Sequence, residues 1–291
     1  MTKLAVGGGG LLALVVSGGW LGLQIEPPPF PPHKERTGEL AKTSLPSNLP
    51  EPVQRHFRAT LGEEVPQIET AVVWGRGKFN VNGLAWFPMR LKSYHKAGRE
   101  FRRELELTWF GMPIFRCYDA HRGEKGSFEF AGLGGLLRVS DSGEKLDQSD
   151  NLVMWAEAPY ATPSALVLDP RIRWEPIDNT SARLVFPFGK QQEDSLLVEL
   201  DAETGLMTNT YGMRYRDQEE AKAPFRGEGA DWNMVHGIQV PNENVGTWED
   251  WAEPYIILDL DGVEYNERLR RRLSALRVSY KELLGNSPEG G

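Results

Sequence analysis

The sequence contains a single cysteine, Cys117, among its 291 residues. One thiol cannot form an intrachain disulfide, and it excludes a zinc site built from several cysteines. We therefore expect Cys117 to act as a small buried hydrophobic residue. A chain of this length can bury a stable core without disulfides, so the composition is compatible with an exported domain.

Positive charge is also scarce, with 33 Lys and Arg against 41 Asp and Glu and a net charge of -8. Most of such a surface repels a phosphate backbone, which excludes nucleic acid as an expected partner. Catalytic signatures are missing as well: the sequence has no GxSxG elbow, HExxH, Walker loop or CxxC. The five histidines are scattered without ligand pairing. No metal or other cofactor is predicted.

Charge is absent from Leu4 to Ile25. As a helix this run is about 33 Å long, enough to cross a bilayer. A small-residue cleavage site could lie at 17–19, but the apolar run continues past it, which favours a retained anchor over a cleaved signal peptide. We predict a transmembrane signal-anchor at 1–25 and a stiff Pro-rich linker at 26–44. The domain that follows is expected outside the cytoplasm.

A short helix is predicted at 49–62, because Val53, Phe57 and Leu61 fall on one face. After it the apolar period changes to two, which indicates strands. The clearest strand runs from Arg99 to Trp109 and places on one face Phe101, Leu105, Leu107 and Trp109, with Arg103 as the exception. A second, Met207 to Arg216, places on one face Met207, Tyr211, Met213 and Tyr215.

The strands are spaced about ten residues apart and separated by tight-turn signals such as Asn82-Gly83, which is typical of an antiparallel meander. A sheet of this many strands must curl, because a flat sheet exposes its edges. We predict a mainly β domain at 45–266: a strongly curved antiparallel sheet, a half-barrel or open barrel, with one or two short helices. The second helix is expected at 145–158.

Half-barrels of this kind often enclose an apolar cavity. The eight apolar residues of the two stripes are therefore the predicted cavity lining. The alternative is that they fill the core tightly. The tail at 267–291 is predicted as a basic amphipathic helix, which lies on an anionic membrane or docks against the barrel.

Few polar residues stand out as candidates for chemistry. Asp119 and Glu157 could form a carboxylate pair for acid and base work if the fold brings them together. His236 precedes Gly237 in a turn, where a structural role is the alternative to catalysis. Arg214 lies in a predicted strand and could form an ion pair with Glu157 that closes the cavity; the alternative is that both residues lie on the surface.

Several segments together resemble a family of uncharacterised bacterial proteins, a domain-of-unknown-function group. The resemblance covers nearly all of 49–266, in order and spacing, and lies in Leu49–Arg55, Asp119–Gly126, Trp155–Tyr160 with Pro163–Leu166, Arg173-Trp174 with Ser181-Ala182, Asp201–Gly205 leading to Arg214, and His236–Pro241 with Trp248. It implies a layout similar to the curved half-barrels that carry lipids or lipoproteins across the bacterial envelope. The basic tail departs from the family pattern, so the resemblance implies nothing about it.

These observations favour a membrane-tethered envelope protein that binds a lipid or other apolar ligand. One alternative is an enzyme on the same scaffold, acting on a lipid or small metabolite with Asp119, Glu157 or His236. Another is a structural or assembly protein that holds a partner through its anchor and tail. The enzyme is not the favoured hypothesis, because no motif supports it.

Overall fold

The computed structural model describes residues 18–189, 192–216 and 218–266. Most of the predicted signal-anchor and the whole predicted C-terminal helix at 267–291 lie outside these residues. In the described part of the chain, no helix combines the length and the apolar character that a membrane crossing requires.

Thirteen strands form one antiparallel sheet, as the period-two pattern predicts. In chain order they are β3 (Thr70–Val81), β4 (Ala85–Lys96), β5 (Glu100–Trp109), β6 (Met112–Arg122), β7 (Lys125–Gly132), β8 (Leu137–Ser142), β9 (Arg173–Pro176), β10 (Ser181–Phe188), β11 (Gln192–Leu200), β12 (Met207–Tyr215), β13 (Lys222–Val235), β14 (Ile238–Trp248) and β15 (Ile256–Tyr265). Two meanders, β3 to β8 and β9 to β15, are joined where β15 pairs with β3. A small separate sheet pairs β1 (Lys42–Ser44) with β2 (Glu64–Pro66).

Among the described residues the helices are few and short, which confirms the predicted mainly β class with a large antiparallel sheet. They are α1 (Glu51–Thr60), α2 (Glu144–Ala156), α3 (Ala158–Ala161) and α4 (Ala165–Leu168), with one 3-10 turn at Leu133–Gly135. Helix α1 has a proline in its first turn, where a missing N–H costs nothing. Its predicted apolar face is buried, since Val53 and Phe57 are each 1% exposed.

The sheet wraps around helix α2. This helix contacts strands β6, β7 and β8 at one end of the sheet and β10, β11 and β12 at the other. Laid flat, thirteen strands would be roughly 58 Å wide, whereas a helix is about 10 Å across. Only a strongly curved sheet brings both ends to one helix. Among the described residues, the edge strands β8 and β9 do not pair, so the barrel stays open and α2 lies in its concave face.

Buried polar side chains of α2 connect the two ends of the sheet. On one side, Asp147 accepts a hydrogen bond from the backbone N–H of Gly126 in β7 at 2.7 Å. On the other, the Gln148 amide donates to Asp194 in β11 at 2.5 Å and to the carbonyl of Met213 in β12 at 3.0 Å. These bonds satisfy buried polar groups, which are costly to leave without partners.

A glycine in β12 lets the helix approach the sheet this closely. A Cβ atom at Gly212 would lie 2.8 Å from a methyl carbon of Leu196 and 2.9 Å from one of Leu152 in α2. Both distances are shorter than carbon atoms tolerate without rearrangement. The small residue therefore sets how deeply α2 sits in the concave face.

The segment at 26–44 is not a free-standing spacer, contrary to the prediction of a stiff linker. It lies along the convex face of the sheet. Arg90 donates to the carbonyl of Pro28 at 3.2 Å and stacks over Phe30 at 4.4 Å. Glu264 accepts from both the N–H and the hydroxyl of Thr37, each at 2.6 Å. Proline composition indicates extended backbone, but it does not show whether a neighbouring surface binds that backbone.

We predict that Gln148→Leu destabilises the protein by about 2–3 kcal/mol. Leucine keeps the volume but leaves Asp194, the Met213 carbonyl and the Tyr215 N–H without the partners that Gln148 supplies. Urea unfolding monitored by circular dichroism measures the change. Gln67→Leu, at an exposed glutamine, serves as the control and should change the free energy of unfolding by less than about 0.5 kcal/mol. Equal effects of the two substitutions would contradict the bridging role of α2.

Candidate functional site

A cavity of about 90 Å³ lies on the concave face, between the C-terminal end of α2 and strands β13 to β15. Its apolar lining includes Leu91, Ala156, Met207, Phe225, Tyr255 and Leu258. Leu91 and Leu258 also belong to an apolar cluster that is separate from the main core around the helices. The buried members of this cluster are Met89, Leu91, Leu105, Leu107 and Leu258. The cavity and the apolar cluster therefore form one continuous apolar surface.

Charged residues form one wall of the cavity. Arg103 projects from β5 and lies between two carboxylates: its Nη1 donates to Asp119 of β6 at 3.3 Å, and its Nη2 donates to Glu157, which follows α2. Arg103 and Glu157 line the cavity together with Tyr160. The exception in the apolar stripe of β5 is thus the centre of a buried ion-pair cluster.

Burial raises the pKa of Asp119 and of Glu157, and the charge of Arg103 opposes this rise. Burial by itself would lower the pKa of Arg103, but the carboxylates of Glu157 and Asp119 raise it above its ordinary value. The guanidinium therefore stays charged. A buried pair of this kind survives only because each member is paired and hydrogen-bonded.

Asp150 of α2 and Arg214 of β12 extend the cluster. Burial, with a further contribution from the charge of Asp119, raises the pKa of Asp150 to about 9. Asp150 is therefore a neutral acid at pH 7. The guanidinium of Arg214 lies over the rings of Phe225 and Trp248, at 4.9 and 4.8 Å, and its charge acts on both aspartates.

The cluster has hydrogen-bonding capacity that the described residues do not use. The buried side-chain atoms without a partner among them include Arg103 Nε, Arg214 Nε and Nη1, Asp119 Oδ1 and Asp150 Oδ2. Orphaned buried donors and acceptors are rare in folded proteins. Their concentration here distinguishes this region from the remainder of the core.

The structure brings some of the predicted polar candidates together. Asp119 and Glu157 meet on Arg103, and Arg214 acts on Asp119 through its charge. The ion partner of Glu157 is Arg103 rather than the predicted Arg214. His236 lies elsewhere, in the turn between β13 and β14, with its Nε2 3.1 Å from the Val263 carbonyl and 3.1 Å from Glu264.

The predicted stripe on β5 divides between two environments. Phe101 is in the main core, with its ring stacked against those of His95 and His121. Leu105 and Leu107 belong to the apolar cluster. Trp109 is exposed at the strand end, and its indole N–H donates to the carbonyl of Gly19 at 2.9 Å.

Strand β12 departs from the strict alternation expected from the sequence, so the predicted stripe does not lie on one face. Met207 lines the cavity, but a register shift between Glu199 and Leu200 of the partner strand moves the following residues out of phase. Tyr211 and Met213 therefore point away from the concave face. The Tyr211 hydroxyl donates to Glu199 at 3.2 Å, and Met213 is 48% exposed. Tyr215 follows the same phase, with Lys145 and Lys222 over its ring.

Sequence reasoning missed Arg103, Asp150 and Tyr160 as site residues. Arg103 carried a signal, since a charge within an apolar stripe has to find a buried partner. Asp150 carried none, because it belongs to a polar run of α2 that looks like a solvated helix face. The run is buried only because the sheet surrounds the helix.

We predict that Asp150→Asn removes a pH-dependent destabilisation. The carboxyl titrates near 4 in the unfolded chain and near 9 in the fold, so the unfolded state binds fewer protons between these values and stability falls as pH rises. The free energy of unfolding of the asparagine variant should equal that of the wild type near pH 4. At pH 8 it should be higher by on the order of 1 kcal/mol or more. Urea unfolding at both pH values measures this difference.

Asp178 provides a control, because its contribution to stability changes with pH in the opposite direction. It lies in an exposed turn, where the N–H of Thr180 lowers its pKa, so its stabilising contribution is lost as pH falls. Asp178→Asn should show its loss of stability at pH 8 and not near pH 4. If the free energy of unfolding depends on pH in the same way in Asp150→Asn and in the wild type, Asp150 is ionised in the fold and the prediction is wrong.

Several solved structures match the chain over much of its length at low sequence identity. A LolA superfamily protein from Nitrosomonas europaea matches with a TM-score of 0.43 and 8% identity, over 76% of this chain and 94% of that chain. A DUF1329 family protein from Desulfovibrio piger matches with a TM-score of 0.42 and 11% identity, over 72% and 92%. A domain from Vibrio parahaemolyticus named for outer membrane lipoprotein sorting matches with a TM-score of 0.41 and 11% identity, over 78% and 94%.

No curated protein matches the sequence. A family model does: DUF6544, described as a family of unknown function, matches residues 39–259. This range contains the whole sheet except the end of β15, together with the cavity, the apolar cluster and the charged wall. The chain therefore belongs to the DUF6544 family.

Proposed function

We propose that this chain is a membrane-tethered envelope protein that binds a lipid or another apolar ligand in the concave face of its half-barrel. The observation that carries the proposal is the continuity between the cavity and the apolar cluster through Leu91 and Leu258. A ligand site needs an apolar surface with a few fixed polar groups. Arg103 and Glu157 supply such groups at the wall of the cavity.

The size of the cavity determines how a ligand binds. A volume of about 90 Å³ corresponds to roughly three water molecules, whereas pockets for drug-sized ligands measure about 300–1,000 Å³. An acyl chain therefore occupies the cavity together with the neighbouring apolar cluster, and α2 shifts relative to the sheet as the chain enters. The partly buried residues around the cluster, such as Phe87 and Phe115, provide the surface for this extension.

The tether is proposed from the sequence. The uncharged run from Leu4 to Ile25 has the length of a membrane anchor. An anchor of this kind places the domain next to a bilayer, which is the source of the proposed ligand. The resemblance to half-barrels that carry lipids or lipoproteins supports the same location.

An enzymatic role is the second candidate, and one observation favours it. Asp119 and Glu157 both have raised pKa values and meet on Arg103, and Glu157 lines the cavity. A carboxyl with a raised pKa can act as a general acid or base near neutral pH. On this alternative, Glu157→Gln abolishes turnover while ligand affinity is preserved.

We predict that Ala156→Trp blocks ligand binding. Ala156 lines the cavity at the end of α2, so an indole there fills the space that an acyl chain would use. The full chain, purified in detergent from a bacterial host, is incubated with palmitoyl-oleoyl phosphatidylglycerol and measured by native mass spectrometry. The wild type should retain the lipid, and the variant should bind it at least about tenfold more weakly.

Ala59→Trp is the matched control, because Ala59 is an exposed alanine of helix α1. It should bind the lipid like the wild type. Equal binding by the Ala156→Trp variant would overturn the proposed site. Recovery of a chemically altered lipid from the wild type, but not from Glu157→Gln, would support the enzyme instead.

A further inference from the structure

One end of the half-barrel carries most of the exposed large apolar side chains. In an antiparallel meander alternate turns lie at the same end of the sheet. The β3–β4, β5–β6 and β7–β8 connections therefore share one end, about 10 Å apart. The exposed apolar residues at these three tips are Leu84, Trp109, Phe110, Met112, Leu136 and Leu137. We call these three tips the apolar rim.

Three side chains of the rim are exposed over most of their surface. Leu84 is 87% exposed, Leu136 is 86% exposed and Met112 is 68% exposed. Clustered exposed apolar residues mark a binding surface, whereas single scattered ones do not. At the opposite end, Ile177 in the β9–β10 turn and Met234 near the end of β13 are single exposed apolar residues.

The sequence of the three tips carries no charge of either sign, and the charges nearest to them in the described structure include the guanidinium of Arg138, which reaches Gly135 of the β7–β8 tip. The stretches 79–89, 107–115 and 130–137, which form its three tips, contain no Asp, Glu, Lys or Arg, although 25% of the chain is charged. The turns at the opposite end carry charges, as at Arg99, Glu124 and Asp201. Tips without acidic or basic residues of their own, in a chain of net charge -8, suit an apolar medium, and a long arginine side chain at their edge can keep its charge at the membrane surface.

The apolar rim occupies only part of this end of the sheet, and charged turns lie beside it. The β12–β13 and β14–β15 turns there carry acidic residues, and Arg216 pairs with both Glu219 and Asp250 at 2.8 Å. The end of the barrel is thus divided into an apolar half and an ion-paired half. Only the apolar half can enter a membrane, so the domain must tilt on contact.

The chain's own apolar run ends on this rim. Trp109 Nε1 donates to the carbonyl of Gly19 at 2.9 Å, and the N–H of Phe110 donates to the carbonyl of Gly22 at 2.8 Å. Gly22 permits this approach, because a Cβ atom there would overlap the Trp109 indole. Trp20, Leu21 and Ile25 are exposed beside the tip and enlarge the apolar surface. Tryptophan is enriched at the membrane–water interface, and elements that lie in this interface turn Trp, Phe and Leu toward the acyl chains.

We propose that the apolar rim inserts into the interfacial layer of a phospholipid bilayer, and so holds that end of the half-barrel against the membrane. Leu107 and Phe115 lie directly behind the β5–β6 tip and belong to the apolar cluster and its surround. When the rim is inserted, the apolar cluster provides a continuous apolar path from the membrane to the cavity. The inference goes beyond ligand binding and does not depend on it.

The test uses single-cysteine variants of the full chain in a Cys117→Ala background. Leu84→Cys, Met112→Cys and Leu136→Cys report on the rim, and Ile177→Cys and Met234→Cys report on the opposite end. Each carries the environment-sensitive fluorophore NBD, and the proteins are reconstituted in phosphatidylethanolamine–phosphatidylglycerol vesicles. Lipids bearing a spin label near the headgroup quench fluorophores that enter the interface. We expect at least about twofold quenching at the rim positions and almost none at the two controls.

Because apolar side chains rather than charges hold the rim in the interface, the quenching should persist at high salt. Equal quenching at both ends, or none at the rim, would overturn the proposal. Rim fluorescence that is shifted by protein concentration but not quenched by labelled lipid would overturn it too, in favour of a second copy of the chain. None of these outcomes requires ligand binding, so failure of the rim and failure of the proposed function are distinguishable.

A triple variant, Leu84→Ser with Met112→Ser and Leu136→Ser, tests the consequence for lipid uptake. These side chains are exposed, so the fold should be preserved. Uptake of fluorescent phosphatidylglycerol from vesicles should slow by at least about fivefold, while the amount bound at equilibrium in detergent stays unchanged. The double variant Ile177→Ser with Met234→Ser should leave both quantities unchanged. An unchanged uptake rate in the triple variant would contradict the role of the rim.

Discussion

Helix α2 is the element on which the other features of the structure depend. A thirteen-strand sheet has two edges, and in this protein both ends of the sheet are bonded to the same buried helix. Asp147 holds one side and Gln148 holds the other. Because the bonds are buried, each unsatisfied partner would cost free energy comparable to a lost hydrogen bond. The helix thus keeps the sheet curved, and the curvature creates the concave face.

The charged wall follows from the same arrangement. The C-terminal end of α2 leads directly into Glu157, which meets Arg103 from β5, while Asp150 on the helix faces the charges of Asp119 and Arg214. Groups from opposite sides of the sheet therefore share one desolvated region. Burial raises the pKa of Asp119 and of Glu157 because it removes water, and the charge of Arg103 opposes that rise at both carboxyls. A shift of α2 would change all of these interactions together.

The main core and the apolar cluster differ in which elements supply their side chains. The main core includes the side chains of the helices, whereas the apolar cluster around Met89 and Leu107 consists of strand residues, and the cavity is lined by members of both. The apolar rim continues this second surface to the outside of the molecule. A sheet end with exposed leucines beside a separate apolar cluster is unfavourable for a protein surrounded by water on all sides. It is consistent with a domain held beside a bilayer.

The sequence by itself determined the local structure. Period-two alternation located strands such as Arg99 to Trp109, and Asn82-Gly83 marked the turn between β3 and β4. Helical spacing placed Val53 and Phe57 on the buried face of α1. The number of strands and the shortage of helices required a curved sheet. These properties depend on neighbouring residues, whose side-chain directions follow from backbone geometry.

Only the tertiary structure decided which distant residues meet. The pairing of β3 with β15, the two carboxylates on Arg103 and the burial of the polar run on α2 join positions far apart in the chain. The bulge that turns Tyr211 and Met213 outward, and the binding of the 26–44 segment to the convex face, depend on the partner strand and on a neighbouring surface. Local periodicity contains no information on these contacts, because they are selected by packing over the whole sheet.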